Sequence, residues 1–344
     1  MRRARIDLLT VKGIAIAAAF GLSPAAAQSV EQFYQNRQMT LIVSTTASGG
    51  YDIYARTFAR SYPRHVPGNP AIIVQNMPGA GGLRATNFLY GKAPKDGAVI
   101  ATIHSAMMTA PLLGVEQANF DPRQFSFIGN IAKEQQFCVS WGGAPIKTFE
   151  QILAKEEFIV GAGGAGGSIA GVPIIINNLF GTNIRVISGY GGNAILLAME
   201  RGEVHGRCGW SMPSLMSTHP EWLKEKKINI IVQHALEKHP ALQDVPLLID
   251  YAKTDEQRGV LELVFAPQAI ARPFLGPPGI PSDRLQALRR GFQATMKDAD
   301  FLAEAEKQGL DVMPSSAEDM AAQVARLYSI PDAIIKKAVE FSAK

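Results

Sequence analysis

The chain lacks most of the groups that do reaction chemistry. Its 344 residues include only two cysteines, Cys138 and Cys208, and no Cys-x-x-Cys, so neither a dithiol redox motif nor a zinc knuckle is supported. The six histidines have no metal-ligand spacing: His234 and His239 are five apart, and His104 and His205 stand alone. Core or surface roles suit all six better. Gly209-Trp210-Ser211 is not a G-x-S-x-G elbow, and no paired Cys and His signature is present. Beyond the N-terminus no apolar run is long enough to span a bilayer. Heptads, short repeats and low-complexity tracts are missing. The remaining composition, 47% hydrophobic and 19% charged, is that of an ordinary globular protein. No catalytic residue, metal or cofactor is therefore expected.

What is present begins with an address. Arg2, Arg3 and Arg5 precede the short apolar stretch Ile14–Leu22 and the small residues Ala25-Ala26-Ala27, the three parts of a secretory leader over residues 1–27. No cysteine follows to carry a lipid anchor. Cleavage after Ala27 removes four basic residues and one acidic one, so the formal charge falls from +4 to +1. The mature chain then has no bulk positive field for nucleic acid. The expected compartment is the periplasm, where Cys138 and Cys208 could pair; one disulfide or two buried thiols both remain open. The 317 residues that follow the leader favour two domains over one.

Two strand–glycine loop–helix cassettes carry the binding chemistry. The first runs from Leu41 through Thr45-Thr46-Ala47-Ser48-Gly49-Gly50-Tyr51-Asp52 into a helical Ile53–Tyr62. The second runs from Phe158 through Gly163-Gly164-Ala165-Gly166-Gly167-Ser168 into Ile169–Phe180. A short strand feeding a small-residue turn at a helix start leaves backbone N–H groups unpaired, and these favour anions together with the helix dipole. Two such sites facing one cleft would hold a small dianion at both ends.

Strand-like runs elsewhere are Ala71–Gln75, Val99–Ile103, Phe127–Ile131, Cys138–Trp141, Ile184–Ser188, Gly206–Trp210, Ile228–Val232 and Leu263–Ala266. Helical patterns alternate with them, at Gly82–Leu89, Asn193–Glu200, Arg284–Lys297 and Asp298–Lys307 among others. The alternation predicts an α/β protein with doubly wound, mostly parallel sheets, whose ligands bind beyond the strands' carboxyl ends. Phe125–Ile131 reads as a crossover from a first lobe to a second, and Leu263–Ala271 as the return. The domains follow as 28–130 plus 263–344 for lobe 1 and 131–262 for lobe 2, with Ser282 capping the helix after Pro281.

Longer motifs resemble a known family. Val43 to Arg56 follows the pattern V-P-F-P-P-G-G-G-x-D-x-x-A-R. Val74-Gln75-Asn76-Met77-Pro78-Gly79-Ala80-Gly81-Gly82 is close to V-x-N-x-P-G-A-G-G. Gly189-Tyr190-Gly191-Gly192-Asn193 with Arg201-Gly202-Glu203-Val204, and Pro277-Pro278-Gly279-Ile280-Pro281 with Gly309-Leu310, match further blocks. From about Met39 to its end the chain resembles the extracytoplasmic receptors of tripartite tricarboxylate transporters, the Bug family. The resemblance implies a two-lobe, type II periplasmic-binding-protein-like fold with two crossovers as hinge. It also implies a receptor, without cofactor, that hands its solute to integral membrane subunits. Ser44 and Thr45-Thr46-Ala47 replace the family's Pro and Phe-Pro-Pro, Tyr190 its lysine and His205 its aspartate, so the ligand's identity does not transfer.

The candidate ligand-binding residues are Thr45, Thr46, Ala47, Ser48, Gly49, Tyr51, Asp52 and Ser105 in the first lobe. In the second they are Ala165, Gly166, Gly167, Ser168, Tyr190, Gly191, Asn193 and Trp210. Asp52 reads either as a ligand contact or as a charge that only favours the helix start; Tyr51, Tyr190 and Trp210 read either as site lining or as core. The expected ligand is a small organic acid, a di- or tricarboxylate or an aromatic carboxylate, bound by a monomer. Gly161-Ala162-Gly163-Gly164-Ala165-Gly166 is a literal G-x-G-x-x-G, which makes an NAD(P)-dependent oxidoreductase one alternative, but Gly181–Val186 supplies no acidic residue for a ribose, and its one charge, Arg185, could suit only a 2′-phosphate. A ligand-sensing subunit of a signalling system is the other alternative.

Overall fold

The computed structural model describes residues 28–162, 168–190 and 194–342, so the leader expected over 1–27 lies outside them. In chain order the strands are β1 Gln38–Val43, β2 Ala71–Asn76, β3 Val99–Thr102, β4 Ser126–Asn130, β5 Gln136–Trp141, β6 Phe158–Ala162, β7 Ile184–Ser188, β8 Gly206–Ser211, β9 Ile228–His234, β10 Pro273–Gly276 and β11 Ser315–Ser316. They form two sheets, ordered β11-β4-β10-β3-β1-β2 and β7-β6-β8-β5-β9.

Each sheet is buried on both faces, and strand alternation explains how. Met39, Leu41 and Val43 of β1 pack with Phe58 of helix Gly50–Ser61 and Phe292 of helix Ser282–Thr295. Ile42, between them, points the other way towards Leu83 and Leu89 of helix Leu83–Gly91. In the second sheet Phe158 and Val160 meet Val172 and Ile176 of helix Ser168–Phe180. The opposite face carries Phe137, Val139 and Trp210 under Ile195 and Met199 of helix Ala194–Glu200.

Both sheets are mixed. Strands β1, β2 and β3 are parallel, as are β6, β7 and β8, but β10 runs antiparallel to β3 and β4, and β5 antiparallel to β8 and β9. The strand that enters each lobe from the other, β10 or β5, is reversed, as is the short β11 beside β4, so antiparallel pairing exceeds what strand–helix alternation implies. Leu263–Ala266 is not a strand. It ends helix Asp255–Phe265, which Thr254 caps by accepting from the Gln257 N–H; a four-residue apolar run has no period that separates strand from buried helix. The return strand is β10. Ser282 is the first residue of its helix and not its side-chain cap, which follows Pro281 without a cap bond.

The two crossings are hydrogen-bonded to each other. Ile131 N–H donates to Arg272 O at 3.1 Å, Ala271 N–H to Ala132 O at 3.2 Å and Glu134 N–H to Gln268 O at 2.9 Å. The buried Asn130 amide joins them, accepting from Arg272 N–H at 2.8 Å and donating to Ala132 O at 2.9 Å. The last helix, Asp332–Ser342, leaves the first sheet and packs on helices Ser168–Phe180 and Asp255–Phe265 of the second, with Ala338 in that core. Cys138 and Cys208 meet where the β5–β8 register shifts, and they are disulfide-bonded.

Candidate functional site

Strand direction alone brings both cassettes to the crossings. Strand β4 ends at the first crossing and runs the same way as β1 and β3, so their carboxyl ends point there. Strand β5 starts from that crossing, and β8, antiparallel to it, ends there; β6 and β7 run with β8. The loops after β1 and β6 thus open towards one region.

The first loop is held from below. Ser44 Oγ accepts from His104 N–H at 2.9 Å, tying β1 to β3. Ser48 has φ 65°, a left-handed conformation that costs a non-glycine residue roughly 1–2 kcal/mol. Its N–H donates to Asp52 Oδ2 at 2.9 Å, and that oxygen also accepts from Arg56 Nε at 2.9 Å. Asp52 Oδ1 accepts from Asn76 Nδ2 at 2.8 Å, and the same amide donates to Thr45 O at 3.1 Å. Burial raises the Asp52 carboxyl, but Arg56, the Ser48 N–H and Asn76 outweigh it and hold the group below the usual carboxylate range. Asp52 is therefore occupied beneath the loop. Gly82 closes the same corner: with φ 108° its missing Cβ would lie 3.2 Å from His104 Cβ, which explains why the Asn76–Gly82 block ends in glycine.

Thr46, Ala47 and Ser48 are exposed on top. Gly49 caps helix Gly50–Ser61 without a side-chain bond, leaving the first-turn N–H groups for an outside acceptor. Thr45 Oγ1 is buried with no hydrogen-bond partner. Tyr51 is buried, its hydroxyl accepting from Ser105 N–H at 2.9 Å and its ring stacked on His104 at 5.4 Å. Burial keeps the His104 imidazole neutral, its pKa below the usual value, and Nδ1 accepts from Ala106 N–H at 3.2 Å.

Two charges that sequence reading missed sit at the crossings. Arg272 Nη1 donates to Glu134 Oε2 at 2.9 Å, with side chains 10% and 19% exposed. Its guanidinium lies 4.4 Å from the Tyr51 ring centroid and 5.1 Å from that of Tyr54. Desolvation would raise the Glu134 carboxyl, but Arg272 outweighs it and holds the pKa low, with the Ser211 hydroxyl at the end of β8 adding to this. Nothing local marks such a pair, because its partners lie on different crossings. A cavity of about 700 Å³ lies among the crossings and is lined by Lys133, Gln268 and Ser329 among others; none of the described residues of the two glycine loops lines it.

The second lobe separates the candidates. Ala165, Gly166, Gly167, Gly191 and Asn193 lie outside the described residues, and Ser168 begins its helix. Tyr190 is half-buried, and its N–H donates to Ala162 O at 3.1 Å, which places the end of β6 beside Tyr190. Trp210 is core: it is 3% exposed and meets Trp222 edge-on at 6.1 Å. Arg185 is exposed and pairs with Glu157 at 3.3 Å, leaving the nucleotide reading without its one cation. Among the described residues no group of three or more His, Cys, Asp or Glu could hold a metal, and no helix is long and apolar enough to cross a membrane.

Two mixed α/β lobes, joined by paired crossings, with loops gathered at the strands' carboxyl ends, define a two-lobe binding protein of the type II periplasmic class. The chain belongs to the tripartite tricarboxylate transporter receptor family, whose description matches residues 55–339. This is a family of receptors, not of enzymes. A curated relative, the UPF0065 protein in the gbd 5' region of Cupriavidus necator, is 33% identical over 147 residues, which span 42% of this chain and 43% of that protein. Among solved structures, a TctC solute-binding protein from Polaromonas superposes with TM-score 0.67 at 20% identity, covering 88% of this chain and 99% of the other. A Rhodopseudomonas palustris protein solved with adipate superposes with TM-score 0.62 at 19% identity, covering 88% and 97%.

Proposed function

We propose that the protein is a periplasmic receptor that closes its lobes on a small organic acid and delivers it, as a monomer, to the integral subunits of a tripartite transporter. The observation that carries this is the uncapped start of helix Gly50–Ser61 beneath the exposed Thr46–Ser48 loop, at the strand ends that meet the crossings. One carboxylate would take the first-turn N–H groups with the Thr46 and Ser48 hydroxyls and the unpartnered Thr45 Oγ1. The far end would meet residues 165–168 and 191–193. Asp52 holds this loop in shape and is not itself a ligand contact. The adipate on the Rhodopseudomonas relative supports an aliphatic dicarboxylate. Maturation would leave Gln28 as the first residue, which mass spectrometry of osmotic-shock material reads directly.

The test is a thermal-shift screen of mature protein against organic acids. An acid at 100 times its Kd adds about 2.7 kcal/mol, roughly 3–4 °C for a chain of this size. Solution scattering should then report a smaller radius of gyration. A panel of mono-, di- and tricarboxylates and aromatic acids that leaves the melting temperature unmoved would overturn the reading.

A further inference from the structure

One charged side chain in the second lobe has no counter-ion among the described residues. Arg207, on β8, is 8% exposed, forms no ion pair within 4 Å among the described residues, and its Nε is buried without a hydrogen bond. Residues 163–167 and 191–193, Gly-Gly-Ala-Gly-Gly and Gly-Gly-Asn, contain no acid that could neutralise it. Its guanidinium lies over the Trp210 ring, with Cζ 5.0 Å from the centroid. Burial pushes its pKa down to about 10, so it stays charged at neutral pH. A buried ion without a counter-ion is costly, and chains keep such groups when something outside the chain supplies the opposite charge.

Register fixes where the guanidinium lies. Gly206 pairs with Val160, so Arg207 stands beside Gly161, one residue before β6 ends. The side chain extends along β8 to Trp210, which pairs with Phe137 near the start of β5. It therefore reaches towards the carboxyl end of its sheet, the end that faces the crossings. Tyr190 and Ile195 close over Gly161 at the same level.

We propose that Arg207 is the second-lobe anion anchor, pairing with the distal carboxylate of a dicarboxylate ligand and so selecting dianions over monoanions. This rests on the receptor reading above and adds to it a residue and a charge requirement. An empty anchor is a liability to the ligand-free fold, whereas a structural arginine would not be.

Two measurements on Arg207→Met test this. The first is the melting temperature of ligand-free protein: the shorter, unbranched apolar side chain removes the buried charge and should raise it, and a fall would overturn the proposal by giving Arg207 a structural role. The second is calorimetric titration with adipate and with hexanoate, which has the same chain and one carboxylate. Wild type should prefer adipate. Arg207→Met should weaken adipate by roughly 10- to 150-fold and leave hexanoate unchanged, with Arg207→Lys between. Equal losses for both acids, or none for adipate, would overturn the anchor while sparing the receptor. Failure of wild type to bind either of these or any acid of the wider panel would remove both.

Discussion

Replacing Asp52 by Asn separates a residue that shapes the loop from one that touches ligand. The amide keeps the shape of the side chain but loses the charge and one acceptor oxygen, so the Ser48 N–H and Arg56 Nε lose Oδ2. A hydrogen bond to a charged group is worth about 1.5–3 kcal/mol. The Arg56 bond counts for less, because that side chain is 46% exposed against 4% for Asp52, and a surface partner rehydrates for under about 1 kcal/mol. The sum is a loss of about 2 kcal/mol in unfolding free energy, read from urea titrations. Binding suffers separately. Freed from Asp52, Ser48 relaxes out of its left-handed conformation, and a cost of roughly 1.4 kcal/mol to recover it leaves about a tenth of the molecules competent, so Kd rises about 10-fold. Calorimetry with the acid found by screening measures this. Wild-type stability together with abolished binding would refute the reasoning and make Asp52 a direct contact; unchanged stability and unchanged affinity would remove its role altogether.

The disulfide closes a loop of 70 residues in sequence, so Cys138→Ala with Cys208→Ala should cost about 4 kcal/mol by loop entropy; two titratable thiols in denatured, unreduced periplasmic protein would contradict the bond. His234 is fully buried, accepts from Gly209 N–H at 3.2 Å, and is held by burial at a pKa of about 4. The unfolded chain takes up this proton first, near 6.5, so stability is whole above that pH and falls by about 3 kcal/mol as the pH drops to about 4; urea titrations of His234→Gln should flatten over that window, and an unchanged slope would assign the loss to other groups.

Local patterns were legible where a segment carries its own signal. Gly49-Gly50 ahead of an amphipathic run marks the start of helix Gly50–Ser61, and the apolar runs at Leu41 and Phe158 that open the two cassettes lie in β1 and β6. Helix Asp255–Phe265 is obscured by its apolar end, which reads equally well as a strand, although Thr254 followed by two acids marks its start. Helix Ala317–Leu327 likewise opens with a Ser316–Asp319 capping box that the sequence displays. Pairings that depend on strand order were not legible. Whether Cys138 reaches Cys208, and whether Glu134 meets Arg272, follows from β5 lying beside β8 and from the two crossings touching. Trp210 illustrates the same limit: a tryptophan at the end of a strand looks alike from sequence whether it lines a cleft or, as here, packs on Trp222.

The last helix changes how closure has to work. Two hydrogen-bonded crossings side by side would let the lobes both bend and twist about the Ile131–Arg272 contact. The chain crosses a third time between helix Ala317–Leu327, which packs on β4, and helix Asp332–Ser342, which packs on the second lobe. The two inner faces of that strap, Leu327 and Ala338, are buried in the second lobe's core, so twisting would tear apolar contact while bending need not. Tyr51 adds rigidity on the other side. Its ring lies under Arg272 from one crossing and its hydroxyl holds Ser105, so the first loop moves as one body with the hinge. If the ligand lands on the first loop, as proposed, it meets a preformed surface, and what remains to close is a one-axis approach of the second lobe, the lobe that carries Arg207, which has no counter-ion among the described residues.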